Sequence, residues 1–240
     1  RQRAIAKRYE EALVTGHRNA WAGITDAELR RLAALVADIC RNDAAVAALA
    51  RRDRAAFAAA LSDLRQRLQT DPTAPALETV TPDGALFFST AQDAMEPEVL
   101  TGEMIAAATA KLTVLSGLAR PRHGHLALTI VSPLLSRDGV SGIVALSIDL
   151  VRPLGIFAAS VGYEAFITNG DLQLEHATQP ALWPTVAVAA TAARGENFTV
   201  AQAARRVFSL VRLPVSDLLE RPSMTLFASR DITAAHWREL

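Results

Sequence analysis

At 240 residues, 50% of them hydrophobic and 21% charged, the chain has the composition of one large or two small globular domains and not of a disordered segment. Its 25 basic and 25 acidic residues cancel, so it carries no basic field suited to a nucleic acid. The lone cysteine, Cys40, excludes an internal disulfide and a cysteine-built zinc site, and on an apolar helical face it reads as a small buried hydrophobe.

The first element is a long helix, from Arg1 to about Asn42. Ile5, Tyr9, Leu13, Leu29, Leu32, Leu35 or Val36, and Ile39 recur at three and four residues and fall on one stripe. Gly16 and Gly23 weaken its middle, and Thr25-Asp26-Ala27-Glu28 has the form of a capping box, which predicts a break or kink. Arg3, Lys7, Arg18, Arg30 and Arg31 form a solvated opposite face, and the stripe is long enough to serve as a homodimer contact. Asn42-Asp43 and Arg52-Asp53 supply N-caps for helices at about Ala44–Ala50 and Arg54–Gln69, the second burying Phe57, Leu61, Leu64 and Leu68. Asp71-Pro72-Thr73-Ala74-Pro75 closes this helical stem, residues 1–75.

Strands follow. Leu77 to Phe88 reads as a hairpin turned at Thr81-Pro82-Asp83-Gly84, with Pro at the second turn position and Gly at the fourth. A helix over about Glu98–Lys111, a strand over Thr113–Leu118 and a basic loop over Ala119–His125 lead to a long hairpin, Leu126–Leu150, turned at Asp138-Gly139. Pro133 must there sit at a strand end, an edge or a bulge, because it has no N–H to donate. After Arg152-Pro153 come a linking helix near Leu154–Ser160 and a hairpin of Glu164–Thr168 with Asp171–Glu175 across a two-residue Asn169-Gly170 turn. Asn197–Gln202, Arg205–Leu213 and Ser223–Ser229 supply further strands, and Asp231-Ile232-Thr233 caps an exit helix that runs past Trp237. The fold class is α+β: a helical stem and two antiparallel-sheet modules, residues 76–152 and 153–232, with the exit helix starting at 233–240.

No stretch approaches the 18 or so apolar residues of a membrane span, and there is no signal peptide. The chain opens at Arg1 in helical register and stops at Leu240 within another helix, the form expected both of a segment cut from between two transmembrane helices and of an internal fragment of a soluble protein.

The long first helix, the shorter helices reading Asn-Asp-Ala-Ala-Val-Ala-Ala-Leu-Ala-Arg-Arg-Asp-Arg-Ala-Ala-Phe, the Thr-Pro-Asp-Gly turn, and the pair Val-Ser-Pro-Leu and Gly-Ile-Val-Ala-Leu-Ser-Ile-Asp-Leu resemble the double CACHE sensor domains. Leu213-Pro214-Val215-Ser216-Asp217, followed by Met224 to Thr233, is similar to the closing strand pair of that family's membrane-proximal module. The resemblance covers nearly the whole chain. It implies two PAS-like modules stacked on the long helix, a periplasmic or extracellular location between transmembrane helices, and a small-molecule ligand in the membrane-distal module, as in chemoreceptors, histidine kinases and diguanylate cyclases. The family's amino-acid-binding version carries an Arg-x-Trp-Tyr cluster, which this sequence lacks, its tryptophans being Trp21, Trp183 and Trp237. An amino-acid ligand is therefore not implied.

Within the distal module, alternate residues of the inner strands line one face of the sheet, where polar side chains are rare enough to mark a site. Ser89, Thr129 and Ser147 are the candidates, with Phe87 or Phe88 and Met104 as apolar walls; each also reads as an ordinary core residue. Arg120, Arg122, His123 and His125, at the lip of the sheet, have the chemistry to clamp a carboxylate or another anion, or else form a solvated basic loop. The His-x-His spacing also suits a metal, but further ligands are not near in sequence, so no metal and no cofactor is expected. Phosphate-loop, serine-hydrolase and zincin motifs are absent, so the chain reads as a binding domain and not an enzyme. A ligand-free dimerising or protein-sensing ectodomain is the alternative, and a fragment of a metal-dependent hydrolase a distant third.

Overall fold

The computed structural model describes residues 2–71, 73–91, 93–193 and 195–236, the side chains of residues 2 and 3 excepted. Arg1, Pro72, Trp237 and Leu240, which the sequence reading invokes at the helix start, the stem end and the exit, lie outside the described residues. The remainder divides into two compact units: unit I takes Ala27–Asp149 with Asp217–Arg221, and unit II takes the described parts of Arg1–Asp26, Leu150–Ser216 and Pro222–Leu240.

Helix α1 runs Gln2–Cys40 without a break. The expected capping box does not form. Thr25 instead donates its hydroxyl back to the carbonyls of Trp21 and Ala22, and Glu28 pairs with Arg31 one turn on, so both residues are absorbed into a continuing helix. Asn42 and Asp53 do cap, accepting from the backbone N–H of Ala45 and of Ala56, to start α2 (Asp43–Ala50) and α3 (Arg54–Ala60). The predicted helix Arg54–Gln69 is in fact two, because Leu61 leaves helical geometry (φ −100°, ψ 12°) before α4 (Ser62–Thr70) begins.

Unit I is built on a five-stranded antiparallel sheet of β1 (Ala76–Val80), β2 (Leu86–Ser89), β3 (Leu115–Ala119), β4 (Ala127–Ser136) and β5 (Gly139–Asp149), in the spatial order β2-β1-β5-β4-β3. The first turn forms as read: Gly84 donates to the Thr81 carbonyl at 2.8 Å and takes φ +88°. Pro133 lies beyond Val131, where the β3 ladder stops, and beside a bulge at Leu134/Leu135, so its missing donor is not needed. Because side chains alternate, one face presents Leu77, Ile130, Leu134, Val144 and Leu146 to Leu32, Val36, Ile39, Leu49, Phe57, Leu61 and Leu64 of the helices. The other face presents Val80, Val131, Ile143 and Ala145 to Val99, Leu100, Met104 and Ile105.

Gly142 marks the closest approach on the helical face. A β-carbon there would lie 2.6 Å from the Leu49 side chain and 2.6 Å from the Val80 carbonyl oxygen, which as backbone cannot move aside. Gly142→Ala is expected to cost about 1–3 kcal/mol through overpacking, read as a lower urea midpoint with an unchanged slope.

Unit II repeats the plan with α6 (Val151–Val161), β6 (Glu164–Asn169), β7 (Leu174–Ala177), α7 (Trp183–Ala192), β8 (Phe198–Ala203), β9 (Arg206–Val215) and β10 (Met224–Asp231), ordered β7-β6-β10-β9-β8; α5 (Gly102–Lys111) belongs to unit I. Helix α7, not anticipated from the sequence, buries Trp183, Val186 and Ala189 against Phe166, Phe208 and Phe227. The Asn169-Gly170 turn is longer than the expected two residues. Asn169 accepts from the N–H groups of Asp171 and Gln173, and Leu172, at φ +59°, takes the left-handed position. Asp231 accepts from Thr233 at the start of the short helix α8 (Thr233–His236), as a cap should.

His17 of α1 is buried in unit II, edge-on to Tyr163 with ring centroids 4.7 Å apart. Its Nδ1–H donates to the Leu13 carbonyl at 2.8 Å, and Nε2 has no partner among the described residues. Burial holds its pKa below the ordinary 6.5, against the opposing effect of the Leu13 bond. The unfolded chain therefore takes the proton first as pH falls, so stability present above about pH 6.5 is lost below it. Thermal midpoints measured at pH 7.5 and 5.5 are expected to differ less in His17→Leu than in the natural chain.

Candidate ligand site

The face of the unit I sheet that α5 and the segment before it cover carries a buried carboxylate. Glu78 sits on β1 opposite Ala145, and its oxygens accept the backbone N–H groups of Glu98 (2.7 Å), Val99 (3.1 Å) and Leu100 (2.6 Å). These bonds satisfy the carboxylate in the low-dielectric interior. They also explain why the expected helix from Glu98 begins four residues late. The three donors are turned onto Glu78, and α5 starts only at Gly102, capped by the Thr101 hydroxyl on Met104 N–H.

The segment so held meets the basic loop. Arg122 forms an ion pair with Glu96 and donates its backbone N–H to the Glu98 carbonyl. His123 bonds Glu98 twice, through Nδ1 at 2.9 Å and through its backbone N–H at 3.1 Å. The His123 side-chain bond keeps the Glu98 carboxyl below the ordinary carboxylate range, against a small opposing effect of burial. Arg122 and His123, read as parts of an anion clamp, are thus already engaged by carboxylates of the same unit, and all four basic residues of the loop, Arg120 and His125 included, are exposed.

The remaining sequence candidates fall in three places. Thr129 and Ser147 face each other across β4 and β5, buried, with their hydroxyls 3.0 Å apart. Met104 lies in the apolar layer over the same sheet face. Phe88 and its neighbour Phe87 belong to the helical side: their rings stand edge-on to Phe57 at 5.5 and 5.4 Å, with Arg65 and Arg54 over them. Ser89, at the end of β2, lines a cleft of about 570 Å3 with Arg65, Gln69, Asp71 and Thr90. By the register of the ladder, Thr129, Ser147 and the layer that contains Met104 share one face of the unit I sheet, Ser89 lies opposite Glu78 on the edge strand of that same face, and Phe88, opposite Thr79, lies on the other.

Sequence reasoning missed two parts of this arrangement. Glu78 was legible as a lone charge inside an apolar strand. The segment Asp217–Arg221 was not, since it comes from far along the chain: Leu218 N–H donates to the Leu118 carbonyl at 2.8 Å, and a β-carbon on Gly117 (φ +151°) would come within 3.0 Å of Leu218 Cα. Asp217 accepts from the N–H groups of Leu219 and Arg221 and from Arg221 Nε, and Arg221 reaches Glu103 of α5 at 3.1 Å. Burial raises the Asp217 pKa, but the Arg221 and Leu219 bonds outweigh it and the net shift is downward.

Among the described residues there is no group of three or more His, Cys, Asp or Glu able to hold a metal ion, and no helix is long and apolar enough to cross a membrane.

No family model matches the chain, and no curated protein matches it in sequence. Its fold does have counterparts. The ligand-binding domain of the Pseudomonas fluorescens chemoreceptor CtaA, solved with L-isoleucine, is similar at a TM-score of 0.58 and 14% identity, over 99% of this chain and 98% of that one. The sensor domain of the Vibrio cholerae histidine kinase DctB gives 0.59 and 12%, over 92% and 98%. The ligand-binding domain of the Pseudomonas aeruginosa amino acid chemoreceptor PctB, solved with L-Arg, gives 0.51 and 18%, over 96% and 98%. The likeness runs over nearly the whole of each of these domains, and this chain, with its long first helix and two five-stranded antiparallel sheets, has the fold expected of the double CACHE domains its sequence resembles.

Proposed function

We propose that this chain is the extracytoplasmic ligand-sensing domain of a transmembrane receptor, with residues 76–152 as its membrane-distal and 153–232 as its membrane-proximal module. The observation that supports it is the end-to-end likeness in fold to ligand-binding and sensor domains of chemoreceptors and a histidine kinase. On this reading the domain binds and does not catalyse.

The site we propose is the sheet face under the 96–101 segment, with Thr129, Ser147 and Met104 within and Arg120, Arg122, His123 and His125 at its lip. An incoming anion would exchange with Glu96 and Glu98 for Arg122 and His123. Binding would then be coupled to release of the segment that Glu78 holds, which supplies the differential affinity for two states that a sensor requires. Thermal unfolding against organic acids, amino acids, purines and phosphate esters tests this. A ligand at a hundred times its dissociation constant stabilises by about 2.7 kcal/mol. A shift with anionic compounds that Arg120→Ala and Arg122→Ala abolish is the expected result, and no shift with any compound would sink it.

A second reading, a dimerising ectodomain, is favoured by Ile5 and Tyr9, which lie one helical turn apart on α1 and are 64% and 66% exposed. Light scattering and the same ligand panel on Tyr9→Glu test it: this ligand-free reading predicts a dimer that the substitution turns into a monomer and no thermal shift with any compound, whereas the first predicts a ligand shift.

A further inference from the structure

Unit II contains a cleft of about 440 Å3 at the end of its sheet, where β6 begins, β10 ends and β9 begins, closed on one side by the end of α6. Its lining is polar in a specific way. Arg206 gives Nε and Nη2 to one oxygen of Asp231, at 2.8 and 2.6 Å, which leaves Nη1 for another acceptor. Glu164 accepts from the Thr178 hydroxyl through one oxygen and has no cation partner among the described residues. Arg230, also on the cleft, has no hydrogen-bond or ion-pair partner among the described residues. Ser229, opposite Glu164 in the ladder, is 1% exposed, and its hydroxyl is without a partner among the described residues. A buried, unmet hydroxyl costs free energy that a bound partner removes.

One uncompensated carboxylate, one uncompensated guanidinium and a spare guanidinium N–H on a single cleft complement a molecule that carries both signs of charge. We propose that this cleft is a second small-molecule site, for a zwitterion whose ammonium group lies at Glu164 and whose anionic group lies at Arg230 and Arg206, with Ser229 as a further hydrogen-bond partner. The site is independent of the one proposed in unit I and shares no residue with it. A carboxylate or amine alone would leave one of the two charges unmatched, so the discrimination is against half-ligands.

Titration calorimetry of the purified chain with L-alanine, β-alanine and taurine, and with acetate and methylammonium as half-ligands, tests it. The expected result is saturable 1:1 binding of at least one zwitterion, weakened about tenfold or more by Glu164→Gln and likewise by Arg230→Ala, with no binding of either half-ligand. Both substituted side chains lie at the surface or half-buried, and circular dichroism melts confirm that the variants remain folded. Arg122→Ala, in unit I, is expected to leave this binding unchanged. Absence of binding by all three zwitterions, or binding that persists in both unit II variants, overturns the proposal. Binding lost in Arg122→Ala but kept in Glu164→Gln overturns it too, and leaves the unit I reading standing.

Discussion

Glu78→Ala is expected to destabilise unit I by about 3 kcal/mol or more, a large effect for a single polar side chain. Three backbone donors converge on this carboxylate at 2.6–3.1 Å, and Val99 and Leu100, which supply two of them, are buried. Hydrogen bonds to a charged acceptor are worth about 1.5–3 kcal/mol each, they are not additive, and a buried donor left without a partner adds its desolvation cost. At about 2–4 °C per kcal/mol for a chain of this size, the thermal midpoint should fall by roughly 10 °C. Glu78→Gln keeps one acceptor oxygen and should fall between. Hydrogen exchange gives the local view: the amides of 98–100 should lose protection in Glu78→Ala before those of β4 and β5. A variant that melts within about 2 °C of the natural chain would show that packing of Val99 and Leu100 holds the segment without the carboxylate.

Phe57→Ala should be comparably severe, at about 3–5 kcal/mol. Phe57 is fully buried and is the residue on which the helical layer and the β1–β2 hairpin meet, through edge-to-face contacts with Phe87 and Phe88. Removing the ring leaves a cavity between a helix and a strand whose backbones are fixed by their own hydrogen bonds, so collapse can fill little of it. Phe57→Leu, which retains most of the volume, should cost much less, and the contrast separates cavity formation from a general intolerance of the site. A further consequence follows for Phe88. Since its ring is engaged by Phe57 and Arg65, Phe88→Ala is expected to lower stability and to leave ligand response in unit I intact, which chemical denaturation and a ligand titration on the same variant would read together.

Those two residues differ in how far the sequence announced them. Phe57 was legible because its role is set by helical spacing with Leu61 and Leu64, a local pattern that the buried face of the sheet only has to accept. Glu78 could be noticed as a charge within Leu-Glu-Thr-Val, but its partners lie 20 to 22 residues further on, and no spacing rule reaches them. The same holds for the basic loop. The sequence put Arg120, Arg122, His123 and His125 together at the sheet lip, and only the fold brought Glu96 and Glu98 across to Arg122 and His123.

The sequence by itself determined what depends on neighbours within a turn or a hairpin: the caps at Asn42 and Asp53, the Thr81–Gly84 turn, the two long strands about Asp138-Gly139, and hence two antiparallel modules and their class. The tertiary structure decided what depends on competition between distant groups. Thr25 stayed helical because the helix on either side of it continued, and Glu98–Leu100 left the helix because Glu78 took its donors. Asp217–Arg221 joined unit I because Leu118 offered a carbonyl that Leu218 could meet over Gly117. Local rules fix a backbone group's options, and the choice among them goes to whichever partner the folded chain brings within about 3 Å.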